Sequence, residues 1–379
     1  MTIEVERLLV VSPNWLGDAV MALPAIGDLR RHFPRSRLLV AARKSVAGLF
    51  AMTPLADEVV VLEWSGRLWS RAKRQADVVK LRSLRADVSV LLPNSFASAW
   101  LVKSAGIRER WGYAADLRDR LLSRAVPRPA IRVHQSEYYR RLTKGLGIEN
   151  GSLEPQLVVS THSVSAARNL LGAKGWDGVR PFVVMAPGAA YGGAKRWPAV
   201  HFADVAARLI RGHQSCCVLV GSSADAATTS WVRALVPEDE RVQVHDLAGS
   251  TSLDTLAGVL RLASACVSND SGVMHLAGAV GVPLAALFGP TRERETAPLA
   301  GVGGRTDVLI NHVWCRPCML RECPLDHRCM NGLSPDRVMR AVTDLMKNPE
   351  SRVPNPESRI PNPDSRMPNP VSRIPGPGS

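Results

Sequence analysis

A short loop, NWLGD, contains the first residues whose position could serve chemistry. Gly17 and Asp18 follow an apolar run, Arg7 to Pro13, and precede a helical pattern that continues through MALPAIGDLRRHF. Ligands of open α/β sheets bind outside the carboxyl ends of strands, which is where this loop would lie. Asp18 could equally be the N-cap of the helix, and spacing alone favours that role. No GxGxxG occurs in the loop, which weighs against a dinucleotide site there.

A second loop, PGAAYGGAKRWP, combines glycines with a lysine. It spans residues 187–198 and follows the apolar run PFVVMA. Glycines such as Gly188 let backbone amides approach an anion closely, and the ammonium group of Lys195 is a point charge for phosphate oxygens. The GxxxxGK[ST] spacing of a Walker A loop is absent. The residues alone are as consistent with a flexible surface loop as with a phosphate site.

A third loop, SNDSGVM, leads from an apolar run into a helical pattern. Its turn residues are Asp270, Ser271, Gly272, Val273 and Met274. Free amides and the positive end of the helix dipole make a helix start an anion site, so the backbone here could hold a pyrophosphate. His275 lies about one turn into the helix. It is either a satisfied buried histidine or a donor to a leaving phosphate or a sugar hydroxyl.

Four cysteines lie close together in CRPCMLRECPLDHRC. Separated by two, four and five residues, they are Cys315, Cys318, Cys323 and Cys329. A Cys-x-x-Cys pair with two further cysteines is a zinc pattern, although so short a span is less typical of a closed tetrahedral site. A structural metal is therefore a weak candidate here, and a reduced, packed loop is the alternative. No cluster of carboxylates accompanies the cysteines, so a catalytic metal is not predicted.

The elements that must position these loops alternate between strand and helix patterns. The apolar runs are RLLVVSP, SRLLVAA, EVVVLEW and DVSVLLPNS, then PFVVMAPG, CCVLVGS, RVQVHDLAG, ACVSNDSG and PLAALFGP. Such repeated βα units predict parallel sheets in an α/β fold. The pattern loosens into Gly, Asn, Ser and Pro between Gly145 and Ser163. We therefore predict two Rossmann-like α/β/α lobes, residues 1–160 and 161–347, that face each other across a cleft.

The chain ends in a seven-residue repeat that begins at Asn348. Its copies are NPESRVP, NPESRIP, NPDSRMP and NPVSRIP. Proline at this density cannot sustain a helix, and the repeat has too little apolar surface to offset the entropy of ordering. Residues 348–379 are thus predicted to be a disordered tail, with a Pro-rich docking site as the alternative.

Positive charge is concentrated in the first half of the chain. The net charge is +14, and residues 67–144 contain 18 Lys and Arg against 6 Asp and Glu. Nucleic acid is disfavoured as the partner, because there is no recognisable motif and little aromatic interleaving. A solvated basic face is one alternative, and an acidic, phosphorylated or membrane-surface substrate is favoured. The first residues resemble neither a signal peptide nor a membrane span, so we expect a cytoplasmic protein with reduced thiols.

Four motifs, in this order and at these separations, resemble the bacterial heptosyltransferases of glycosyltransferase family nine. They are NWLGDAVMALPAI, PGAAYGGAKRWP, NDSGVMHLAGAVGVPLAALFGPT and CRPCMLRECPLDHRCM, and the resemblance runs from Arg7 to about Met346. It implies a GT-B fold and an inverting transferase that needs no cofactor and no divalent metal. It also implies ADP-L-glycero-β-D-manno-heptose as the donor, bound mainly by the second lobe. The acceptor would be the lipopolysaccharide inner core, bound by the first lobe.

Carried over by position, the resemblance assigns roles to the loop residues. Asp18 matches the general base, and Asn14 and Gly17 lie on the acceptor side. Lys195, with Gly188 in the same loop, matches the contact to the donor phosphates. Residues 270–275 match the turn that contacts the pyrophosphate and the sugar. Members of the family often hold the donor ribose with an acidic residue, for which GSSADAATT offers only Asp225.

The family motifs barely distinguish one acceptor from another. The cysteine segment and the Lys-Arg-Trp triplet favour transfer to the first heptose on Kdo2-lipid A, at the inner membrane surface, and the basic first lobe is compatible with peripheral contact there. Transfer of the first or the third heptose is the closest alternative. A nucleotide-sugar epimerase and a binding protein without catalysis remain as further classes.

Overall fold

The structure is a computed structural model that describes residues 5–64 and 70–347. Its first half contains β1 (Arg7–Val11), β2 (Arg37–Arg43), β3 (Glu58–Leu62), β4 (Val88–Leu91), β5 (Glu109–Tyr113) and β6 (Arg124–Val126). The helices of this half are α1 (Leu16–His32), α2 (Lys44–Ala51), α3 (Arg71–Ser83), α4 (Phe96–Ser104) and α5 (Gln135–Gly145).

The second half repeats the alternation. Its strands are β7 (Phe182–Ala186), β8 (Cys216–Leu219), β9 (Val244–Asp246), β10 (Ala265–Asn269), β11 (Leu284–Phe288) and β12 (Thr306–Ile310). Its longer helices are α6 (Thr161–Ala173), α7 (Ala199–His213), α8 (Ala226–Leu235), α10 (Leu253–Leu262), α11 (Gly272–Val280) and α14 (Pro335–Met346). Three short α-helices are also present, α9 (Glu238–Arg241), α12 (Glu293–Thr296) and α13 (Arg328–Asn331), together with 3-10 helices at Gly193–Lys195 and Ser223–Asp225.

The strands form two parallel sheets with equivalent strand orders. The first is β3-β2-β1-β4-β5-β6, and the second, β12-β11-β10-β7-β8-β9, is the same order read from the opposite edge. In register, Val10 of β1 pairs with Val40 on one side and with Val90 on the other. The central strands are almost entirely buried, because helices cover both faces of each sheet. The predicted α/β class with two Rossmann-like lobes is confirmed.

Three strands were not predicted from the sequence. They are β5, β6 and β12, with the sequences ERWGY, RAV and TDVLI. All lie at or next to a sheet edge, and polar side chains shorten the apolar run in each of them.

The two halves share one apolar core. Helix α1 packs against α5 in its own half and against α11 in the other, and α2 packs against α10. A single cluster of buried side chains runs through these contacts, from Leu8 and Leu23 in the first half to Leu276 and Phe288 in the second. The two halves are therefore joined by a continuous apolar core below the cleft that separates the two sheets.

Residues 146–160 connect the two halves, between the end of α5 and the start of α6. Helix α6 packs against α10 of the second half, which is compatible with a boundary at 160, although the boundary stays a prediction. The repeat tail, 348–379, lies outside the described residues. Among the described residues, no helix has the length and apolarity needed to cross a membrane.

Candidate active site

Two helix starts from opposite halves meet at the cleft. Helix α1 begins after β1, α11 begins after β10, and the two helices are in contact. A Cβ atom on Gly17 would lie 2.6 Å from Cδ2 of His275, and one on Gly272 would lie 2.9 Å from Cβ of Leu16. Only glycine fits such close approaches, so both glycines set the separation of the halves at this point.

Asp18 lies in the first turn of α1, but it is not the cap of that helix. The N-cap position is occupied by Trp15, whose side chain makes no capping hydrogen bond. The Asp18 carboxylate lines a cavity of about 300 Å³ together with Lys195, Asp270 and His275. Burial raises the pKa of Asp18 to about 6; the nearby Lys195 ammonium opposes this shift and the Asp270 carboxylate adds to it. Asp18 is thus a carboxylate with a raised proton affinity facing a cavity.

Lys195 is held beside this cavity by a buried ion pair. Its Nζ lies 2.6 Å from Oδ2 of Asp270, and the Thr291 hydroxyl donates a hydrogen bond of 2.6 Å to the same oxygen. Both side chains of the pair are largely buried. The Nζ atom also lies 4.7 Å from the ring centre of Tyr191, a cation–π contact. Asp270 therefore fixes the lysine in position, and its carboxylate is already engaged in this ion pair.

The start of α11 presents backbone amides to the cleft. Ser271 is the N-cap, with extended backbone and no side-chain capping bond. The amides of the first helical turn have no acceptor within the helix, and the helix dipole adds positive potential there. Val273 faces a second cavity, whereas the Met274 side chain is fully buried in the apolar core. Met274 can therefore contact a ligand only through its backbone.

His275 is buried and uncharged near neutral pH. Burial lowers the pKa of His275 to about 4, with Lys195 and His134 contributing and Asp270 opposing. Its Nδ1 atom is buried and has no hydrogen-bond partner among the described residues. The imidazole is therefore not a satisfied core histidine. It is a neutral ring with unused hydrogen-bonding capacity at the junction of the two halves.

A larger cavity, about 850 Å³ in volume, adjoins the first at Trp15 and Ser271. Gly188 and Asn14 line this larger cavity and not the smaller one. The Asn14 amide oxygen accepts a hydrogen bond of 2.9 Å from Arg43 Nε. Asn14 thus lines the same cavity as Gly188 of the predicted donor loop, and its predicted place on the acceptor side stays a prediction. Gly17 lines the smaller cavity together with Asp18.

Asp225 also lines the larger cavity, and its carboxylate has a structural role. Oδ2 accepts hydrogen bonds from the backbone amide of Ser222 at 3.0 Å and from the Ser222 hydroxyl at 2.7 Å. This reciprocal capping box closes the turn after β8.

The cysteine segment lies beside the lysine loop and supports it. All four cysteines are free thiols, and no group of three or more His, Cys, Asp and Glu side chains within 5–64 and 70–347 could hold a metal ion. The interpretation of Cys315, Cys318, Cys323 and Cys329 as a weak structural metal site stays a prediction.

Three hydrogen bonds join the cysteine segment to the loop at 187–198. Tyr191 donates a hydrogen bond of 2.8 Å to the Met319 carbonyl, and the amide of Gly193 donates one of 3.0 Å to Glu322 Oε1. The amide of Ala194 donates one of 2.9 Å to the Arg321 carbonyl. The loop that carries Lys195 is thus attached to the cysteine segment immediately before the lysine.

Sequence reasoning missed Thr291, Tyr191 and Trp15 among the residues that line the smaller cavity. Thr291 follows β11 by three residues, so the rule that ligands bind at the carboxyl ends of strands could have found it. Tyr191 and Trp15 gave no such signal, because an aromatic residue in a loop is equally compatible with packing.

Comparison with known proteins agrees with this geometry. The model of glycosyltransferase family 9 (heptosyltransferase) matches residues 77–328. Lipopolysaccharide heptosyltransferase 2 of Escherichia coli is 30% identical, over 91% of this chain and 100% of that protein. The chain belongs to glycosyltransferase family 9. The protein of the same name from Salmonella typhimurium is 31% identical, over 78% of this chain and 86% of that protein.

A solved structure of this family has the same fold. The E. coli ADP-heptose lps heptosyltransferase II superposes with a TM-score of 0.77 at 28% identity, covering 90% of this chain and 98% of that one. The predicted GT-B fold and family are thereby confirmed. The cleft between the two sheets, with its two adjoining cavities, is the cleft of a heptosyltransferase.

Proposed function

We propose that this heptosyltransferase moves L-glycero-D-manno-heptose from ADP-heptose to the first heptose of the lipopolysaccharide inner core. The observation that carries the proposal is the pairing of Asp18 and Lys195 across one cavity, at the junction of the two halves. The names of the relatives supply the substrate class, since both the E. coli and the Salmonella proteins are lipopolysaccharide heptosyltransferases 2. Membership of a glycosyltransferase family favours transfer over epimerisation.

Asp18 is the general base in this mechanism. An acceptor hydroxyl in the smaller cavity attacks the anomeric carbon of the donor, the bond from that carbon to the ADP oxygen breaks, and configuration inverts. The hydroxyl proton passes to the Asp18 carboxylate. A pKa of about 6 leaves the carboxylate ionised near neutral pH while giving it more proton affinity than an exposed aspartate.

Lys195 and the amides of α11 stabilise the departing ADP. The diphosphate gains negative charge as the sugar bond breaks, and preorganised positive groups at that place lower the barrier. Lys195 supplies a full charge, and the first turn of α11 supplies amides and the helix dipole. These groups do the work that a divalent metal does in other transferases, so we propose metal-independent turnover. Asp270 acts as a positioning residue, because it fixes the lysine.

The two cavities divide the substrates between them. The nucleoside of the donor would occupy the larger cavity, past Gly188, and the sugar would reach into the smaller cavity beside Asp18 and His275. The neutral His275 imidazole would donate to a sugar hydroxyl or a phosphate oxygen. The acceptor would approach from the basic first half, where the positive charge of residues 67–144 attracts an anionic inner core.

The test is turnover of ADP-heptose with Kdo2-lipid A that carries one heptose, in the presence of EDTA. ADP release and a gain of one heptose in acceptor mass are expected. Transfer only to heptose-free Kdo2-lipid A would reassign the protein to the first heptosyl transfer. Consumption of donor without any change in acceptor would overturn transfer altogether, and loss of turnover in EDTA would overturn the metal-free mechanism.

A further inference from the structure

Trp15 is an exposed aromatic residue at the point where the two cavities meet. It immediately precedes α1 and is 59% exposed. Four of the described residues line both cavities: Trp15 from the first half, and Ala190, Ser271 and Gly272 from the second. An indole has a large apolar surface, so an exposed indole inside a cleft indicates a ligand that covers it.

The side chain of Trp15 makes no structural contact that accounts for its position. As the N-cap of α1, Trp15 acts through its backbone carbonyl, which accepts a hydrogen bond of 2.9 Å from the amide of Ala19. Within the described part of the chain, its ring packs on no aromatic ring or cation, and its indole N–H donates to no protein atom. The buried Trp197 differs, because it packs on Phe202 and donates to the Leu333 carbonyl. The indole of Trp15 is therefore available to a ligand.

Tyr191, which also lines the smaller cavity, is by contrast already engaged. Its ring centre lies 4.7 Å from Nζ of Lys195 and 5.3 Å from Cζ of Arg321. Its hydroxyl donates a hydrogen bond of 2.8 Å to the Met319 carbonyl. These contacts fix the tyrosine as part of the wall of the second half. The smaller cavity thus has an engaged aromatic side chain in one half and a free one in the other.

The residues that share the junction indicate which part of a donor Trp15 would meet. Ser271 and Gly272 form the start of α11, whose amides are proposed to hold the diphosphate. The nucleoside is proposed to lie in the larger cavity, and the sugar in the smaller one beside Asp18. The bond between diphosphate and sugar would then cross the junction, and the indole would lie against the sugar near its anomeric carbon.

An indole suits this part of the donor in both the ground state and the transition state. A sugar ring presents C–H groups on its faces, and packing them against an aromatic surface removes apolar area from water. As the bond to ADP breaks, the sugar gains positive charge at its anomeric carbon and ring oxygen. A cation over an aromatic face is stabilised, and tryptophan is the strongest of the aromatic residues in this respect.

We propose that the Trp15 indole packs on the transferred sugar and stabilises the positive charge that forms on it during transfer. The inference rests on the proposed function, because that function places the sugar of the donor in the smaller cavity. It adds a residue of the first half to a donor site that Lys195 and the amides of α11 form from the second half. Trp15 is thus expected to distinguish ADP that carries a sugar from ADP alone.

The first experiment compares the affinities of full-length variants for ADP and for ADP-heptose, by calorimetry without acceptor. In Trp15→Leu, the ratio of the ADP-heptose Kd to the ADP Kd should rise about fivefold or more, the scale of an aromatic contact. Trp15→Phe keeps an aromatic ring and should stay within about twofold of the natural ratio. Equal weakening of ADP and ADP-heptose binding would show that Trp15 contacts the nucleotide, and would overturn the proposal.

The matched control is Trp231→Leu in α8. Trp231 is equally exposed, at 59%, and lines neither cavity. This variant should leave the Kd ratio and turnover unchanged. Thermal melts of all variants should coincide with that of the natural chain, because both indoles are exposed and Trp15 caps α1 through its backbone. A lower melting temperature in Trp15→Leu with an unchanged Kd ratio would assign the indole a structural role and overturn the proposal.

Tryptophan fluorescence gives a second readout of the same contact. A ligand that covers an exposed indole shifts its emission to shorter wavelength. ADP-heptose should therefore shift the emission of the natural chain and of Trp231→Leu, and should leave that of Trp15→Leu unshifted. ADP alone should produce a smaller shift. An equal shift in all three proteins would show that the ligand does not cover Trp15.

Turnover separates this inference from the proposed function. With Kdo2-lipid A that carries one heptose, the kcat of Trp15→Leu should fall about tenfold, by more than the donor KM rises, because the charge forms only in the transition state. A change confined to the acceptor KM would overturn the proposal in favour of an acceptor contact. Natural turnover in Trp15→Leu would overturn it and leave the proposed function intact. Absence of heptose transfer by the natural chain would contradict the proposed function, and with it the sugar that Trp15 is proposed to contact.

Discussion

The starts of α1 and α11 form a pair across the cleft, and they differ in charge. Each follows a strand near the centre of its sheet, each has an N-cap without a side-chain capping bond, and each uses a glycine to approach the other. The first turn of α1 contains a carboxylate, whereas the first turn of α11 contains no acidic side chain. One helix start is thus suited to accepting a proton and the other to holding an anion.

The difference shows how one local geometry supports two kinds of chemistry. A helix start offers free amides and positive potential, which favours an anion. An aspartate in the same turn would ordinarily be stabilised in its ionised form by those amides. Burial outweighs that effect at Asp18 and raises its pKa to about 6. The second helix start keeps its amides for a ligand because no side chain competes for them.

The largest effect is expected from Asp18→Asn. The amide cannot accept the acceptor proton, so turnover should fall by roughly a hundredfold or more, the scale of general base catalysis. The measurement is ADP release with donor and acceptor at saturation. Turnover within about threefold of the natural sequence would remove Asp18 from the mechanism and leave the two helix starts chemically alike.

The same variant should not unfold the protein. Folding raises the pKa of Asp18, so the ionised carboxylate lowers the free energy of unfolding as pH rises from about 4 through about 6. Asp18→Asn removes that cost and should raise the free energy of unfolding at pH 8 by on the order of 1–3 kcal/mol, which is measured as a higher melting temperature. Little difference is expected at pH 4, where the native carboxyl is protonated.

Lys195→Ala tests whether the region beside the start of α11 binds the diphosphate. Loss of a charge-assisted contact should weaken ADP binding by roughly tenfold to a hundredfold in calorimetry. The substitution also leaves Asp270 buried without its cation, so a second variant is required. Lys195→Ala/Asp270→Asn removes both charges; if it binds ADP as weakly as the single variant, the lysine itself is the contact. Recovery of ADP affinity in the double variant would show that an unpaired Asp270 caused the loss.

The pH dependence of kcat/KM is expected to follow the ionisation of Asp18. The rate should rise with pH and level off above about 6, so that at pH 5 it is about one tenth of its plateau value. His275 should not contribute in this range, because its pKa is lowered to about 4. A profile that stays level between pH 5 and pH 8 would contradict a base at this position.

The smallest expected effect comes from separating the two helix starts. Gly17→Ala places a Cβ atom 2.6 Å from the buried His275 ring, so either the ring or α1 must shift. We expect about 1–3 kcal/mol of destabilisation and a loss of turnover that exceeds the loss of ADP affinity. The control is Gly212→Ala in α7, where a Cβ atom meets nothing within 4 Å and helix propensity favours alanine. Equal behaviour of the two variants would show that the close approach is unimportant.

The sequence predicted the parts of the site that depend on strand ends. The loops with Asp18, Lys195 and Asp270 each follow an apolar run, and the structure brings all three residues to one cavity. It could not predict that Asp270 is occupied by Lys195, because an ion pair between distant loops depends on their relative placement. The same holds for Asn14 and for the cysteine segment, whose contacts with the 187–198 loop carry no periodic signal.

The apolar cluster that runs beneath the cleft also affects how the protein unfolds and is degraded. Since α1 and α11 belong to one buried cluster, the two halves cannot melt as independent bodies. We expect a single cooperative calorimetric transition, and a chain damaged in either half should fail as a whole. A protease would then cleave unfolded molecules entirely and release no folded half that could still bind a ligand of the cleft and withhold it from intact enzyme.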